Sequence, residues 1–261
     1  MKTISLLIVL AVASYLFGNI NWALIISKFK KSDIRKLGSG NPGTLNMSRN
    51  FGLKTGLLVF FLDISKGAIC SLVAFFVFRG QVFENTNFVI TDFATYLCGL
   101  SAVLGHIFPV FLKFKGGKGI ASTIGLFLVC ESIHGWQWSA VCIMAIVAAL
   151  VFIYFTEFGA MGSFIAITPP AISGCIRLFY TYAQSSTQIP IMYIVTNMLI
   201  LCICFFTWFA HRTNIERMLK GEEHPTSIKE MVVKMKAKKL QEKQKKEQIS
   251  NSQTVNEDKN L

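Results

Sequence analysis

The chain is divided by seven apolar runs, most of them about 20 residues long, with short polar loops between them. We place the runs at roughly 4–26, 55–78, 92–112, 120–134, 138–155, 158–179 and 190–210. A helix needs about 20 apolar residues to cross a bilayer. Only 15% of the residues are charged, against roughly 25% in a soluble domain. The sequence therefore predicts an all-α integral membrane protein with seven transmembrane helices.

The first run begins like a signal peptide, but it continues to Ile26, so we expect a retained helix. The loops after it alternate in charge. Loops 27–54 and 113–119 are rich in lysine and arginine, whereas loops 80–91, 134–138 and 180–189 contain neither residue. By the positive-inside rule this pattern predicts an N-terminus outside the cell and a C-terminus in the cytoplasm. A multi-pass protein of the plasma membrane is expected.

The fourth run is unusually short, since Glu131 and His134 interrupt it. About 14 residues rise about 21 Å, against a hydrocarbon core of about 30 Å. Either this helix is shortened or its start lies below the membrane surface. The second arrangement would draw the preceding loop, 115–119, into the membrane boundary, where irregular backbone must be buried in protein or line a wet cavity.

Two glycine-rich polar loops border the membrane runs: Gly38-Ser39-Gly40-Asn41-Pro42-Gly43 and Lys115-Gly116-Gly117-Lys118-Gly119. Glycine lets backbone N–H groups approach an anion closely, and the N-terminus of the helix that follows would face the same point. The second loop adds two lysines. It predicts a phosphate-binding cradle.

Asp63 and Lys66 lie inside the second run at helical spacing i, i+3, and His106 lies near the end of the third. Charges at such depth usually face a bundle interior or a cavity. In one interpretation the pair neutralises itself and His106 bonds only to backbone; in the other, His106 carries or donates a proton beside the phosphate site. Both interpretations direct the pair inward.

The cysteines show no metal-type spacing with histidine, and we predict no metal and no cofactor.

Three motifs occur in order along the chain. They are Gly38-Ser39-Gly40-Asn41-Pro42-Gly43 with Asn46 and Arg49; Gly105-His106-Ile107-Phe108-Pro109-Val110 through Lys115-Gly116-Gly117-Lys118-Gly119-Ile120-Ala121-Ser122; and His211-Arg212-Thr213-Asn214-Ile215 with Arg217, Gly221 and Glu223. Together with Asp63…Lys66-Gly67, they resemble the bacterial acyl-phosphate:glycerol-3-phosphate acyltransferases (PlsY type) over about residues 1–225. The family has seven membrane helices and a cytoplasmic active site.

The resemblance implies transfer of a fatty acyl group from acyl phosphate to the 1-hydroxyl of glycerol 3-phosphate, the first step of phospholipid synthesis. It implies catalytic roles for Ser39, Arg49, His106 and Lys118. Substrate-binding roles are implied for Asn41, Asn46, Lys66, Lys115, Gly116, Gly117, Gly119, Ser122, His211, Asn214, Arg217 and Glu223. Within this set, loop 115–119 would hold the acyl-phosphate head, and the segment from His211 would help bind the acceptor. The expected partners are these two substrates and membrane lipid, not nucleic acid.

The chain departs from the family pattern in places. Leu45 replaces a threonine, and the family's Thr-Arg-Tyr-Val-Ser-Leu-Gly-Ser appears as Thr156-Glu157-Phe158-Gly159-Ala160-Met161-Gly162-Ser163. These changes leave an inactive homologue as one alternative, and an organic-phosphate transporter that binds substrate with the same loops as another. We divide the chain into a membrane acyltransferase domain, 1–226, and a basic tail, 227–261, with a helix expected over Lys229 to Lys246. The tail is either a solvated charge run or a surface helix on anionic lipid.

Overall fold

The structure is a computed structural model that describes residues 2–84, 86–183, 191–223, 225–226, 228–231, 233 and 237. These residues are mainly helical. In chain order the helices are α1 Lys2–Gly18, α2 Trp22–Phe29, α3 Thr44–Phe51, α4 Leu53–Phe78, α5 Ile90–Ile107, α6 Ile120–Ser132, α7 Trp136–Thr156, α8 Gly159–Leu178, α9 Ile191–Ala210 and α10 Arg212–Leu219. Residues 228–231 are also helical. The all-α prediction is confirmed for the described ranges, while the tail helix expected to reach Lys246 lies mostly outside them.

Six stretches of the described chain are long and apolar enough to cross a membrane, and they correspond to six of the seven predicted runs. The remaining run is α6, an apolar helix of only 13 residues. This length agrees with the prediction of one short fourth helix. The structure places its start at Ile120, directly after the glycine loop, and its end at Ser132.

The first predicted run, 4–26, is not one continuous helix. It breaks between Gly18 and Trp22 into α1 and α2. Asn19 turns its side chain back to donate to the Tyr15 carbonyl at 2.6 Å, and Asn21 accepts from the Leu24 N–H at 3.0 Å as the cap of α2. Two asparagines that bond to local backbone therefore end one helix and start the next.

Helix α6 lies inside the bundle, where it packs against α4, α5, α7 and α8. Its contact with α4 is backbone-close. A Cβ at Gly67 of α4 would collide with the carbonyl oxygen of Ser122, and a Cβ at Gly125 of α6 would collide with that of Ile64. Small residues permit such close helix packing in membranes. This contact fixes where α6, and the loop before it, sit relative to α4.

The far end of α6 is anchored by buried charges. Glu131 accepts from the Tyr96 hydroxyl at 2.7 Å and lies 3.6 Å from Arg177 of α8. Arg177 also pairs with Asp92 of α5 at 3.1 Å, and Asp92 in turn contacts His134 at 2.8 Å. Buried ions are tolerated when they are paired and hydrogen-bonded. The residues that interrupt the fourth run thus tie its end to α5 and α8.

Candidate active site

One pocket of about 850 Å³ opens at the end of the bundle where α5 finishes and α6 begins. Its polar part is formed by both glycine-rich loops and by the segment around α10. Its apolar part descends between helices, and its lining there includes Leu57, Phe60, Ile124, Ile146 and Leu150. Every site residue predicted from the sequence lines this pocket except Lys66 and Ser122. Three segments far apart in the chain therefore meet at one site, as the sequence predicts.

Loop 115–119 is held against the end of α5. The Gly116 N–H donates to the Ile107 carbonyl at 3.2 Å, and the Gly117 N–H donates to the His106 carbonyl at 3.1 Å. These two N–H groups are therefore occupied, which differs from the expectation that the whole loop cradles an anion. Within the described residues, the N–H groups of Lys118 and Gly119 form no backbone hydrogen bond. They and the N-terminus of α6 remain for an anion.

Lys118 is the cation at the centre of the polar part. Its Nζ donates to Asn214 Oδ1, and Asn214 Nδ2 donates to Glu223 at 2.6 Å. Glu223 also pairs with Arg217 at 3.4 Å. Burial lowers the pKa of Lys118 to about 8; Glu223 opposes this shift, whereas Arg217 and Arg49 add to it. The lysine is thus fixed in place and mostly charged at neutral pH.

His211 lies beside this network at the end of α9. Its Nδ1 contacts the Thr207 carbonyl at 2.8 Å, and its ring lies edge-on to Phe164. Burial lowers its pKa to about 4, and Lys118 contributes to this lowering. The ring is therefore neutral at pH 7. Since a carbonyl can only accept, Nδ1 carries the proton and Nε2 is left as a hydrogen-bond acceptor.

The first glycine loop is shaped by Asn46 of α3. Asn46 Nδ2 donates to the Leu37 carbonyl at 2.9 Å, while Oδ1 accepts from the Ser39 N–H at 3.2 Å. Gly38 and Gly40 adopt left-handed backbone with φ of 53° and 71°, which glycine reaches without a Cβ penalty. Asn46 thus sets the loop's shape with both ends of its amide. Ser39 and Asn41 line the pocket beside it.

Asp63, Lys66 and His106 form a buried cluster under loop 115–119. Lys66 Nζ lies 2.7 Å from Asp63 and 3.1 Å from His106 Nδ1. Lys66 is fully buried behind His106 and does not line the pocket. A Cβ on Gly117 would collide with His106 Nε2, so that atom faces the loop. The mutual pairing of Asp63 and Lys66, one of the two interpretations of the sequence, is therefore present, and His106 reaches the pocket lining while Lys66 does not.

Ser122 also lies outside the pocket. Its hydroxyl donates to the Asp63 carbonyl at 3.0 Å and is fully buried. This bond joins α6 to α4 next to their closest approach. The geometry gives Ser122 a helix-packing contact rather than a place in the pocket lining.

Arg49 makes contacts that the sequence does not predict. Its Nε and Nη2 donate to the carbonyl oxygens of Thr226, at 3.2 Å, and of Pro225, at 2.8 Å. The Thr226 N–H donates to the Glu157 carbonyl at 3.0 Å. Thr226, Ile228 and Met231 line the pocket, and none of them belongs to a motif. The sequence gives only an indirect signal for these three residues. Leu45 departs from the family pattern, and its side chain lies against Gly159, as does the side chain of Thr226.

Comparison with known proteins identifies the chain's relatives. A family model described as glycerol-3-phosphate acyltransferase matches residues 8–221. A glycerol-3-phosphate acyltransferase of Mycoplasmopsis pulmonis is 38% identical over 217 residues, which are 80% of this chain and 88% of the relative. The protein of that name from Aquifex aeolicus is 36% identical over 216 residues, which are 82% of this chain and 96% of the relative.

Two solved structures are similar as well. Both are crystal structures of PlsY (YgiH), an integral membrane glycerol 3-phosphate acyltransferase, one in a glycerol 3-phosphate form and one in a lysophosphatidic acid form. The first superposes with a TM-score of 0.65 at 32% identity and covers 84% of this chain and 94% of PlsY. The second gives 0.64 at 31% identity over the same shares. The chain belongs to the glycerol-3-phosphate acyltransferase family.

Proposed function

We propose that the protein transfers a fatty acyl group from acyl phosphate to the 1-hydroxyl of glycerol 3-phosphate and releases lysophosphatidate and phosphate. The observation that carries this proposal is the two-part pocket, in which a cationic end continues into an apolar shaft between helices. An acyl phosphate has the same two parts, an anionic head and an alkyl chain. Membership of the glycerol-3-phosphate acyltransferase family supports glycerol 3-phosphate as the acceptor. The two similar crystal structures are a glycerol 3-phosphate form and a lysophosphatidic acid form, which correspond to this acceptor and to the product.

In the proposed mechanism, loop 115–119 and the start of α6 hold the phosphate of the donor. The acceptor hydroxyl attacks the acyl carbon, the bond from that carbon to the phosphate oxygen breaks, and the hydroxyl proton passes to the leaving phosphate, on which negative charge grows during the step. Lys118 is placed to stabilise that charge. Fixed charges directed at developing charge supply the largest contribution in many enzymes. Ser39 and Asn41 complete the polar wall.

The acceptor is proposed to lie against the segment from His211 to Glu223. Arg217 is available to its phosphate, while neutral His211 accepts a hydrogen bond from a glycerol hydroxyl. His106 contributes differently. His106 Nδ1 lies 3.1 Å from Lys66 Nζ and 3.5 Å from Asp63 Oδ1. Its other ring nitrogen, Nε2, faces loop 115–119 and is available there as a hydrogen-bonding group.

We further propose that α6 completes a set of seven spans, with the N-terminus outside and the pocket at the cytoplasmic face. The lysine- and arginine-rich loops around the pocket support this orientation. The basic tail supports it too, since the cytoplasmic leaflet carries the anionic lipid that such a tail would contact. Single cysteines placed at Lys31 and at Gln81 in a cysteine-free background test it. In intact cells an impermeant thiol reagent should label position 81 and not position 31; the reverse pattern would reject the orientation.

Phosphate release tests the reaction. Purified protein given palmitoyl phosphate should release inorganic phosphate only when glycerol 3-phosphate is present, with one lysophosphatidate formed per phosphate. Release without the acceptor would indicate a phosphatase. No release from folded protein would favour an inactive homologue, the alternative that Leu45, Glu157 and Ala160 raise. Leu45 and Ala160 line the pocket, so both would contact substrate directly.

The pH dependence should report Lys118. Its ammonium is needed for the donor phosphate, and its pKa is lowered to about 8. Below that pH the cation is present, and above it the cation is lost. Because kcat/KM reports groups of the free enzyme, it should fall about tenfold for each pH unit above about 8. Lys118→Arg should remove this fall, since arginine stays charged. A wild-type profile that remains flat to pH 9.5 would contradict the assignment.

A further inference from the structure

The pocket has a wall that lies beyond the residues that the family model matches. The family model matches residues 8–221, yet Thr226, Ile228 and Met231 line the pocket. We call Pro225, Thr226 and residues 228–231 the strap. The pocket is therefore lined partly by residues outside the family-model match.

Several fixed contacts hold the strap at the pocket. Arg49 of α3 donates to the carbonyls of Pro225 and Thr226, and the Thr226 N–H donates to the Glu157 carbonyl between α7 and α8. Thr226 is 1% exposed. A Cβ at Gly159 would come within 2.8 Å of the Thr226 methyl group. The strap thus bridges α3 and the start of α8, and glycine at position 159 leaves room for it.

The helical part of the strap is anchored to α7. Lys229 Nζ donates to the Phe155 carbonyl at 3.4 Å and lies 5.6 Å from the centre of the Tyr154 ring. Lys229 itself is exposed, whereas Ile228 and Met231 are half-buried. Positions i and i+3 share one helix face. The apolar face of this turn is therefore directed into the pocket, which Ile153 of α7 also lines.

The strap contributes mainly apolar side chains, at a place close to the cationic end. Arg49, a cation that lines the same pocket as Lys118, donates hydrogen bonds directly to the strap. A donor whose phosphate lies at Lys118 would place the first carbons of its acyl chain in this neighbourhood. Glycerol 3-phosphate has no alkyl chain and gains nothing from such a wall. The chemistry of the wall therefore fits the donor and not the acceptor.

We propose that Ile228 and Met231 of the strap bind the acyl chain of the donor and so determine the affinity of the enzyme for acyl phosphate. This inference rests on the proposed reaction and deepens it. The strap is a wall of the acyl site supplied by the C-terminal segment, and Arg49 positions it through the carbonyls of Pro225 and Thr226.

The test compares the KM values of the two substrates in the full chain. The double variant Ile228→Ala/Met231→Ala loses apolar contact that corresponds to about a tenfold change in binding. KM for palmitoyl phosphate should rise about tenfold, while kcat and KM for glycerol 3-phosphate stay within about twofold. Ile228→Leu/Met231→Leu should restore the donor KM, because it returns the apolar volume. Val233→Ala, at a position 64% exposed, is the matched control.

The proposal is overturned by an unchanged donor KM, by equal changes in both KM values, or by no rescue by the leucine variant. Equal changes would indicate that the strap supports the fold only. A lower donor KM would also overturn it and would mark the strap as an obstruction. Failure of the underlying reaction is distinguishable, because wild-type protein would then give no acceptor-dependent phosphate release at all.

A pair of truncations gives a second, independent measurement. A chain that ends at Val233 keeps the strap and should retain the wild-type donor KM. A chain that ends at Glu223 lacks the strap, and its donor KM should rise at least as much as in the double variant. If the shorter chain does not fold, the point variants decide alone. Equal donor KM values in two folded truncations would count against the proposal.

Discussion

Replacing Lys118 by alanine should lower kcat/KM by about 1,000-fold, the scale expected when a preorganised charge that faces a developing anion is removed. The side chain lies in the polar part of the pocket and is fixed by Asn214. The variant also removes a charge partner of Glu223, but Arg217 remains paired with that carboxylate. The fold should therefore survive. Acceptor-dependent phosphate release measures the effect.

Lys54→Ala is the matched control, because it removes a lysine that is exposed and does not line the pocket. Its kcat/KM should stay within about twofold of wild type, as for most surface substitutions. Thermal unfolding in detergent should show that both variants are folded. If Lys118→Ala retained a tenth or more of wild-type turnover, Lys118 would not be the residue that neutralises the leaving phosphate.

Much of the site follows from the sequence because its motifs are polar segments in an apolar chain. Loop 38–43, loop 115–119 and the segment from His211 stand out against their surroundings, and all three line the pocket. The short fourth helix follows from the positions of Glu131 and His134 alone. Spacing along one helix also places Asp63 and Lys66 on one face, and their pairing at 2.7 Å agrees with one of the two interpretations of these residues.

The remaining features depend on contacts between distant segments. Lys66 and Ser122 belong to motifs, yet one lies behind His106 and the other bonds to the Asp63 carbonyl. A motif gives the residue type and the spacing, but not which side of a helix faces the pocket. The break after Gly18 is not predicted for a different reason. The length of the apolar run indicates one continuous helix, and the two asparagines whose side chains bond to local backbone are too weak a signal to divide it.

The strap is the clearest case of a feature that the sequence pattern does not predict. Its composition is that of a basic tail, which places the expected domain boundary between 226 and 227. The indirect signal lies elsewhere in the chain. Leu45, Glu157 and Gly159 depart from the family pattern. The Glu157 carbonyl accepts a hydrogen bond from the Thr226 N–H of the strap. The side chains of Leu45 and Thr226 both lie against Gly159, which has no Cβ. Departures that gather in space can thus point to a segment outside the family-model match.

Gly116→Ala should reduce kcat/KM by at least about 100-fold, although it adds a single methyl group. A Cβ there would collide with the His106 carbonyl oxygen and come within 2.8 Å of that of Ile107. Both are backbone atoms at the end of α5, so neither can turn aside as a flexible side chain could. The loop must move away from α5, and Lys118 moves with it. A displacement of about 1 Å at a catalytic group can cost about 100-fold.

Gly80→Ala is the control that separates the effect of this collision from the effect of backbone strain at a glycine with positive φ. Gly80 has a φ of 77°, and no atom lies within 4 Å of the point that a Cβ would occupy, so alanine there meets strain without a clash. That strain costs about 1–2 kcal/mol of stability, and Gly80 lies outside the pocket lining, so turnover should stay near wild type. Gly116 has no such backbone requirement, so a loss of activity in its variant would come from the collision with α5. Equal turnover in the two variants would show that the approach of loop 115–119 to α5 does not position Lys118.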